Sequence, residues 1–193
     1  MHSIEPHFNW RDAYIASEDT RSPFFGRKYS EFYFTHKLYN YYLHPQWDEF
    51  GSATLYAKAL FVDYIEGFAL IELIGEWNDT LHNDIMFLKR RVIDPMQKEG
   101  ISKFIFFCEN VLNFHGAEDD YYEEWAEEVR EESGWIAMLN VRKHVEEEMV
   151  DYHLQRYIHF GEDYNDLFWR PQKPMVVFQL VEALIHGMIK RLD

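Results

Sequence analysis

The sequence predicts an α/β fold in which an antiparallel hairpin opens a mixed sheet, parallel strands continue it, and helices clothe it. Three observations carry this reading. Two β-rich runs at 55–64 and 68–74 flank the short turn Ile65-Glu66-Gly67, which is the pattern of a hairpin. Beyond them, helix-like and strand-like segments alternate to about Phe160, and such alternation demands crossovers with helices packed on a mostly parallel sheet. The 193 residues are 47% hydrophobic and 27% charged, enough apolar material for one core and too much for disorder. The chain is therefore read as a single domain over 1–193. An aromatic N-terminal extension occupies 1–54, the core 55–160, and a linker with a C-terminal helix 161–193.

Each element follows from local chemistry. Residues 1–30 lack a period and read as an irregular arm, with a helical turn around 10–16. Rings and polar residues interleave over 28–42, where a strand and a short helix are equally compatible. The run 68–74 is nearly continuous in apolar residues, as in a strand buried on both faces. Asn78 or Asp79 caps a helix reaching about Glu99, with Leu81, Ile85, Leu88, Val92 and Met96 on one stripe. Pro95 should kink or shorten it, and Gly100 stops it. A buried strand is expected at 103–108, then a loop at 113–117.

An acidic helix follows at about 118–132, inward at Tyr121, Tyr122, Trp125, Ala126 and Val129, and Gly134 ends it. A strand at 135–140 leads to a helix at roughly 142–156, inward at Val145, Met149 and Tyr152, and a short strand is possible at 157–160. After the linker, Pro174 opens the last helix. Its broad stripe is Val177, Phe178, Leu180, Val181, Leu184, Ile185 and Met188.

Charge and composition exclude several functions. The net charge of −15 repels phosphate backbones and anionic headgroups, so neither nucleic acid nor membrane is expected as a partner. The densest basic run, Lys89-Arg90-Arg91, is too short to reverse this. Cys108 is the single cysteine, which leaves no intrachain disulfide and no cysteine zinc site. It follows an apolar run and reads as a small buried hydrophobe. The N-terminus lacks the basic and apolar regions of a secretory signal, and the apolar stretch near 175–189 is broken by Gln179, Glu182 and His186. The cytoplasm is the expected compartment.

From about Leu55 to Phe160 the chain resembles a STAS domain, the fold shared by anti-sigma-factor antagonists and the cytoplasmic tails of sulfate transporters. Three segments carry the resemblance. They are the hairpin ending in Leu73-Ile74-Gly75-Glu76-Trp77-Asn78-Asp79, the helix-to-strand passage Lys98-Glu99-Gly100-Ile101-Ser102-Lys103-Phe104-Ile105-Phe106, and Leu139-Asn140-Val141-Arg142, where a strand hands over to a helix. The resemblance implies a mixed sheet and regulation through protein contacts. Partner-switching members carry a phosphorylatable Ser or Thr after the third strand. Here that stretch reads Asn113-Phe114-His115-Gly116-Ala117-Glu118-Asp119, without a hydroxyl, so the switch is not carried over. The acids Glu118-Asp119-Asp120 are compatible with a permanently charged imitation of it, but ordinary helix-start chemistry is the preferred account.

The candidate binding residues are Asn78, Asp79, Asn113, His115, Glu118, Asp119 and Asn140, because ligands of parallel α/β sheets sit in the loops at strand C-termini. A histidine among carboxylates suits acid–base work near neutral pH, although loop capping by side-chain hydrogen bonds is the preferred reading. The acidic helix is the strongest feature. Nine carboxylates over 118–132 face one base, Arg130, which is −8 of the total charge. Docking a basic partner or a divalent cation would account for tolerating the repulsion; a solvated face does so more simply. His144, Glu148 and Asp151 align on one helical face but match no known ligand repeat. The rings of 39–42 and 164–169 suit either a pocket or an interface, or the covering of a sheet edge.

No Gly-x-Ser-x-Gly elbow and no phosphate-cradling glycine pattern occurs. The expected function is a non-enzymatic interaction module acting on another protein or on a copy of itself as a homodimer. The alternative is a small-ligand or metal-dependent enzyme with a pocket around Asp79, Asn113 and His115. No catalytic residue, metal ligand or cofactor is assigned.

Overall fold

The computed structural model describes residues 4–187. A two-residue ribbon, β1 (Lys37–Leu38) against β2 (Tyr41–Tyr42), precedes a four-stranded sheet. The sheet runs in the order β3 (Leu55–Asp63), β4 (Phe68–Asn78), β5 (Lys103–His115), β6 (Trp135–Leu139). β3 and β4 are antiparallel, whereas β4–β5 and β5–β6 are parallel. This is the mixed α/β sheet that the sequence predicts. The short strand expected at 157–160 is a single parallel bridge, Ala137 to His159, along the outer edge of β6.

Two differences from expectation matter for the site. The loop expected at 113–117 is half strand, because β5 continues to His115 and β4 to Asn78. The register pairs Glu76 with Asn113, Trp77 with Phe114 and Asn78 with His115. Buried rings hold this extension together: Trp77 packs on Phe114 and on Tyr122 at 6.0 and 6.3 Å between centroids. β3 begins opposite Gly75 and β6 ends opposite Phe107, so β4 and β5 project beyond both neighbours.

The helix expected over 79–99 is broken into α1 (Asp79–His82), α2 (Asp84–Leu88), a π-helical turn (Lys89–Ile93) and α3 (Asp94–Lys98). Asn83 breaks the first junction with a left-handed φ of 52°. The π turn answers Pro95, which has no N–H to continue the ladder, and Asp94 N–H instead reaches back to Lys89 O. Leu81 of the expected stripe lies exposed, while Ile85, Leu88, Val92 and Met96 are buried.

The later helices are α4 (Asp120–Glu131), α5 (Lys143–Asp151) with a 3-10 turn at Leu154–Arg156, α6 (Glu162–Asn165) and α7 (Pro174–Ile185). His153, at a φ of 62°, ends the helix expected to reach Arg156, and Tyr152 lies exposed over Phe114 rather than in the core. Gly134 is required for a reason other than stopping a helix. A Cβ there would lie 1.9 Å from Ser102 O.

Both sheet faces are covered. On one, Trp77, Leu88, Val92, Trp125, Val129 and Met149 pack beneath α1 to α5. On the other, the arm and linker supply Trp10 and Trp169, and α7 supplies Val177, Phe178 and Val181. Trp169 stacks on Phe107 at 3.7 Å and Phe178 on Phe68 at 4.2 Å. Farther along that face, Leu38, Leu43 and Trp47 cover Tyr56 and Ile74. Met188 of the expected stripe lies outside the described residues. Among the described residues, no helix is long and apolar enough to cross a membrane.

Candidate functional site

The β4–β5 projection and the N-termini of α1 and α4 surround a cleft of about 400 Å³, lined by Asp79, Thr80, Leu81, Asn83, Ile85, Ala117, Glu118, Asp120 and Tyr121. Its buried polar groups are consumed by the fold. Asn78 caps α1, accepting from Leu81 N at 2.9 Å, while its own N–H donates to Asp84 Oδ2 at 2.8 Å. Asp79 Oδ1 accepts from Trp77 Nε1 at 3.0 Å and from Ile85 N at 2.8 Å. Its Oδ2 accepts from the Tyr122 hydroxyl at 2.6 Å. Burial pushes the Asp79 carboxyl up to about 6 against the pull of these bonds. Thr80 Oγ1 donates to Gly116 O at 2.6 Å and ties α1 to the end of β5.

The remaining candidates divide. Glu118 lies exposed on the cleft wall. Asp119 precedes α4 without capping it, and its Oδ2 accepts from the Tyr157 hydroxyl at 2.8 Å. His115 sits beside Asn78 in the register but is half exposed, with Nδ1 3.5 Å from Glu148 Oε1 on α5. Asn113 donates to Glu76 Oε1 at 3.0 Å, and Glu76 also accepts from the Tyr39 hydroxyl of the ribbon turn.

Asn140 follows β6, which ends opposite Phe107, eight residues before His115. At ~3.3 Å per residue that is roughly 25 Å from the projecting tip. Its Nδ2 donates to Asn165 O at 2.9 Å. The cleft therefore gathers Asp79 and Glu118 with Asn78 behind them, and leaves Asn113 and Asn140 elsewhere.

Of the aligned trio on α5, Glu148 faces His115, and His144 Nε2 lies 2.7 Å from Leu112 O. Among the described residues, no group of three or more His, Cys, Asp or Glu is disposed to hold a metal ion. Cys108 is buried, and burial pushes its thiol well above the ordinary range.

The acidic helix has an internal basic partner. Lys89 is buried on the π turn with Nζ 2.5 Å from both Asp94 Oδ1 and Glu128 Oε2. Arg90 Nη1 reaches Asp94 Oδ2 at 3.0 Å and Glu124 Oε1 at 2.7 Å. The densest basic run of the chain is thus spent largely on α4. Glu118, Asp120, Glu123, Glu127 and Glu131 form no salt bridge among the described residues and are exposed.

Sequence reasoning passed over a second polar cluster, under the arm. Glu72 sits fully buried in the middle of β4, accepting from His7 N at Oε2 (2.8 Å) and from Arg170 Nη2 at Oε1 (3.2 Å). Arg170 also bonds Glu109 of β5. Burial raises the Glu72 carboxyl to about 7, and burial with the nearby Arg170 lowers His7 to about 4. The signal was present as one charge inside the apolar run Phe68-Ala69-Leu70-Ile71-Glu72-Leu73-Ile74, since a carboxylate in a strand buried on both faces requires a partner.

Comparison with family models and with curated proteins finds no match. Comparison with solved structures finds a protein of Thermotoga maritima described as an anti-sigma factor antagonist. The likeness covers 54% of this chain and 85% of that one, at a TM-score of 0.40 and 16% sequence identity. It is partial and concerns the fold alone.

Proposed function

We infer that the chain is a non-enzymatic protein-interaction module that docks a basic surface of another protein through the tip of the β4–β5 projection and the outer face of α4. The observation that carries this is the division of labour on α4. Glu124 and Glu128 are neutralised by Arg90 and Lys89, whereas Asp120, Glu123, Glu127 and Glu131 form an exposed acidic stripe continuous with Glu118 at the cleft. Like charges three and four apart cost tenths of a kcal/mol per pair, and a complementary partner would remove that cost. A second copy meeting the same face would bring acid against acid, so a different protein suits the surface better than a homodimer through it. The buried Asn78 and Asp79 and the partly buried Asp119 support this surface by their internal hydrogen bonds.

The test is capture at low salt from a lysate of the source cells, comparing the wild type with Glu123→Arg/Glu127→Arg/Glu131→Arg. A specific protein retained by the wild type, lost by the triple variant and released by raised salt is expected. Equal retention by both, or none by the wild type, would refute the docking surface.

A further inference from the structure

β3 is an outer strand, and its free edge is paired only in part. Asp48 and Ala57 exchange two backbone bonds there, at 2.8 and 3.0 Å. Two residues on, Ala59 turns its N–H and C=O to the same edge by the alternation of an antiparallel ladder. At that level a cavity of about 210 Å³ lies between the edge and the arm at 6–17, with Tyr29 and Gln46 completing its wall.

Its charge opposes that of the molecule. In a chain of net −15, the charged side chains lining this cavity are Arg11 and Lys58. Lys58 is 9% exposed, with Nζ 3.1 Å from Asp48 Oδ2 and 3.8 Å from the Tyr29 ring centroid. Asp48 is shared with Arg27 at 3.4 Å, and Arg11 meets Glu5 at 2.8 Å. Asp48 is thus divided between two cations, which leaves the Lys58 ammonium only partly neutralised. His7 also lines the cavity; it is 8% exposed, and its Nε2 has no hydrogen-bond partner. A buried polar atom of this kind calls for a partner. The neutral ring offers one N–H and one acceptor nitrogen. Ile15, Leu60 and the Tyr14 ring make the rest of the wall apolar.

We propose that this cavity binds a small organic monocarboxylate with an apolar body, its carboxylate held between Arg11 and Lys58 and its body against Tyr14, Tyr29 and Leu60. The partly neutralised Lys58 ammonium and the Arg11 guanidinium suit one negative charge, and charge-assisted bonds to Arg and Lys are the strong ones. The volume is below the ~300–1,000 Å³ of drug-sized pockets, which limits the ligand to about the size of benzoate. Phosphate has no body for the apolar wall. The site is separate from the acidic docking surface and stands or falls without it.

The test uses the full chain, with benzoate, benzamide and inorganic phosphate as probes, followed by amide NMR shifts and calorimetry. Benzoate is expected to bind saturably and to move the Ala59 and Ser17 amides, with benzamide and phosphate each about tenfold weaker or more. Arg11→Gln, at a largely exposed position, should weaken benzoate about tenfold, and Arg11→Lys should recover part of the loss. Lys58→Met serves as a second variant; should it not fold with Asp48 left to Arg27 and the Tyr29 hydroxyl, Arg11→Gln decides the matter. The proposal is overturned if benzoate moves neither amide, if benzamide or phosphate binds as tightly, or if folded Arg11→Gln keeps the wild-type affinity.

Discussion

Replacing Glu72 by glutamine isolates the pH dependence that this buried carboxyl gives to stability. Burial is the main cause of its raised pKa, Glu109 adds to it, and the His7 N–H and Arg170 oppose it. A folded state that holds a proton more tightly than the unfolded chain draws stability from it below the unfolded pKa. That contribution is complete below about pH 4.5 and is lost as pH rises through about 7. At ~1.4 kcal/mol per pH unit, the climb from 4.5 to about 7 is worth ~3 kcal/mol. Glu72→Gln exchanges no proton at this position. The unfolding free energy of the wild type minus that of the variant should therefore fall by ~3 kcal/mol between about pH 4.5 and about pH 8.

His7 works in the opposite sense, its lowered pKa adding stability as pH rises from about 4 to 6.5, but both proteins carry it and the difference removes it. Urea melts at both pH values, followed by tryptophan fluorescence, read the effect, since Trp10 and Trp169 flank His7. A difference that stays flat, or that grows with pH, would refute burial as the dominant influence on Glu72.

Two further outcomes follow from the same geometry. Asp79→Ala strips the acceptor from Trp77 Nε1, Ile85 N and the buried Tyr122 hydroxyl, and should cost ~3 kcal/mol or more in urea unfolding at neutral pH; a loss under ~1 kcal/mol would contradict its role as their shared acceptor. Lys89→Met leaves Glu128 without its base and Asp94 with Arg90 alone, but these carboxylates are 42% and 21% exposed, so water offsets part of the loss and ~1–2 kcal/mol is expected. Thermal melts should show that loss shrinking as salt screens the carboxylates, and an unchanged melting temperature at low salt would count against the pairing.

Much of the fold was legible because the signals are local. The hairpin across Ile65-Glu66-Gly67, the buried run of β4 and the stripe of α4 each rest on periodicities of two or 3.6 that any neighbour would exploit. The length of β5 was not legible, since its second half mixes Asn and His with Val and Phe and stays paired through Trp77 and Phe114. Capping by Asn78 was legible from residue type, whereas the three donors converging on Asp79 come from elements up to 43 residues apart. The basic run Lys89-Arg90-Arg91 is too short to reverse the charge of the surface, and only the tertiary structure shows that Lys89 and Arg90 are the counter-charge of α4.

By itself, the sequence determined the class of fold, the order of its elements and the sign of its surface, because hydrophobic period, capping chemistry and net charge are properties of short segments or of the whole sum. Tertiary structure decided which charges remain available and which are spent. It brought Glu72 to His7 and Arg170, Lys89 to Glu128, and Arg11 to Lys58 across a cavity. Such pairings depend on distances through space between residues far apart in the chain, and burial then fixes their energies by removing the water that would otherwise screen them.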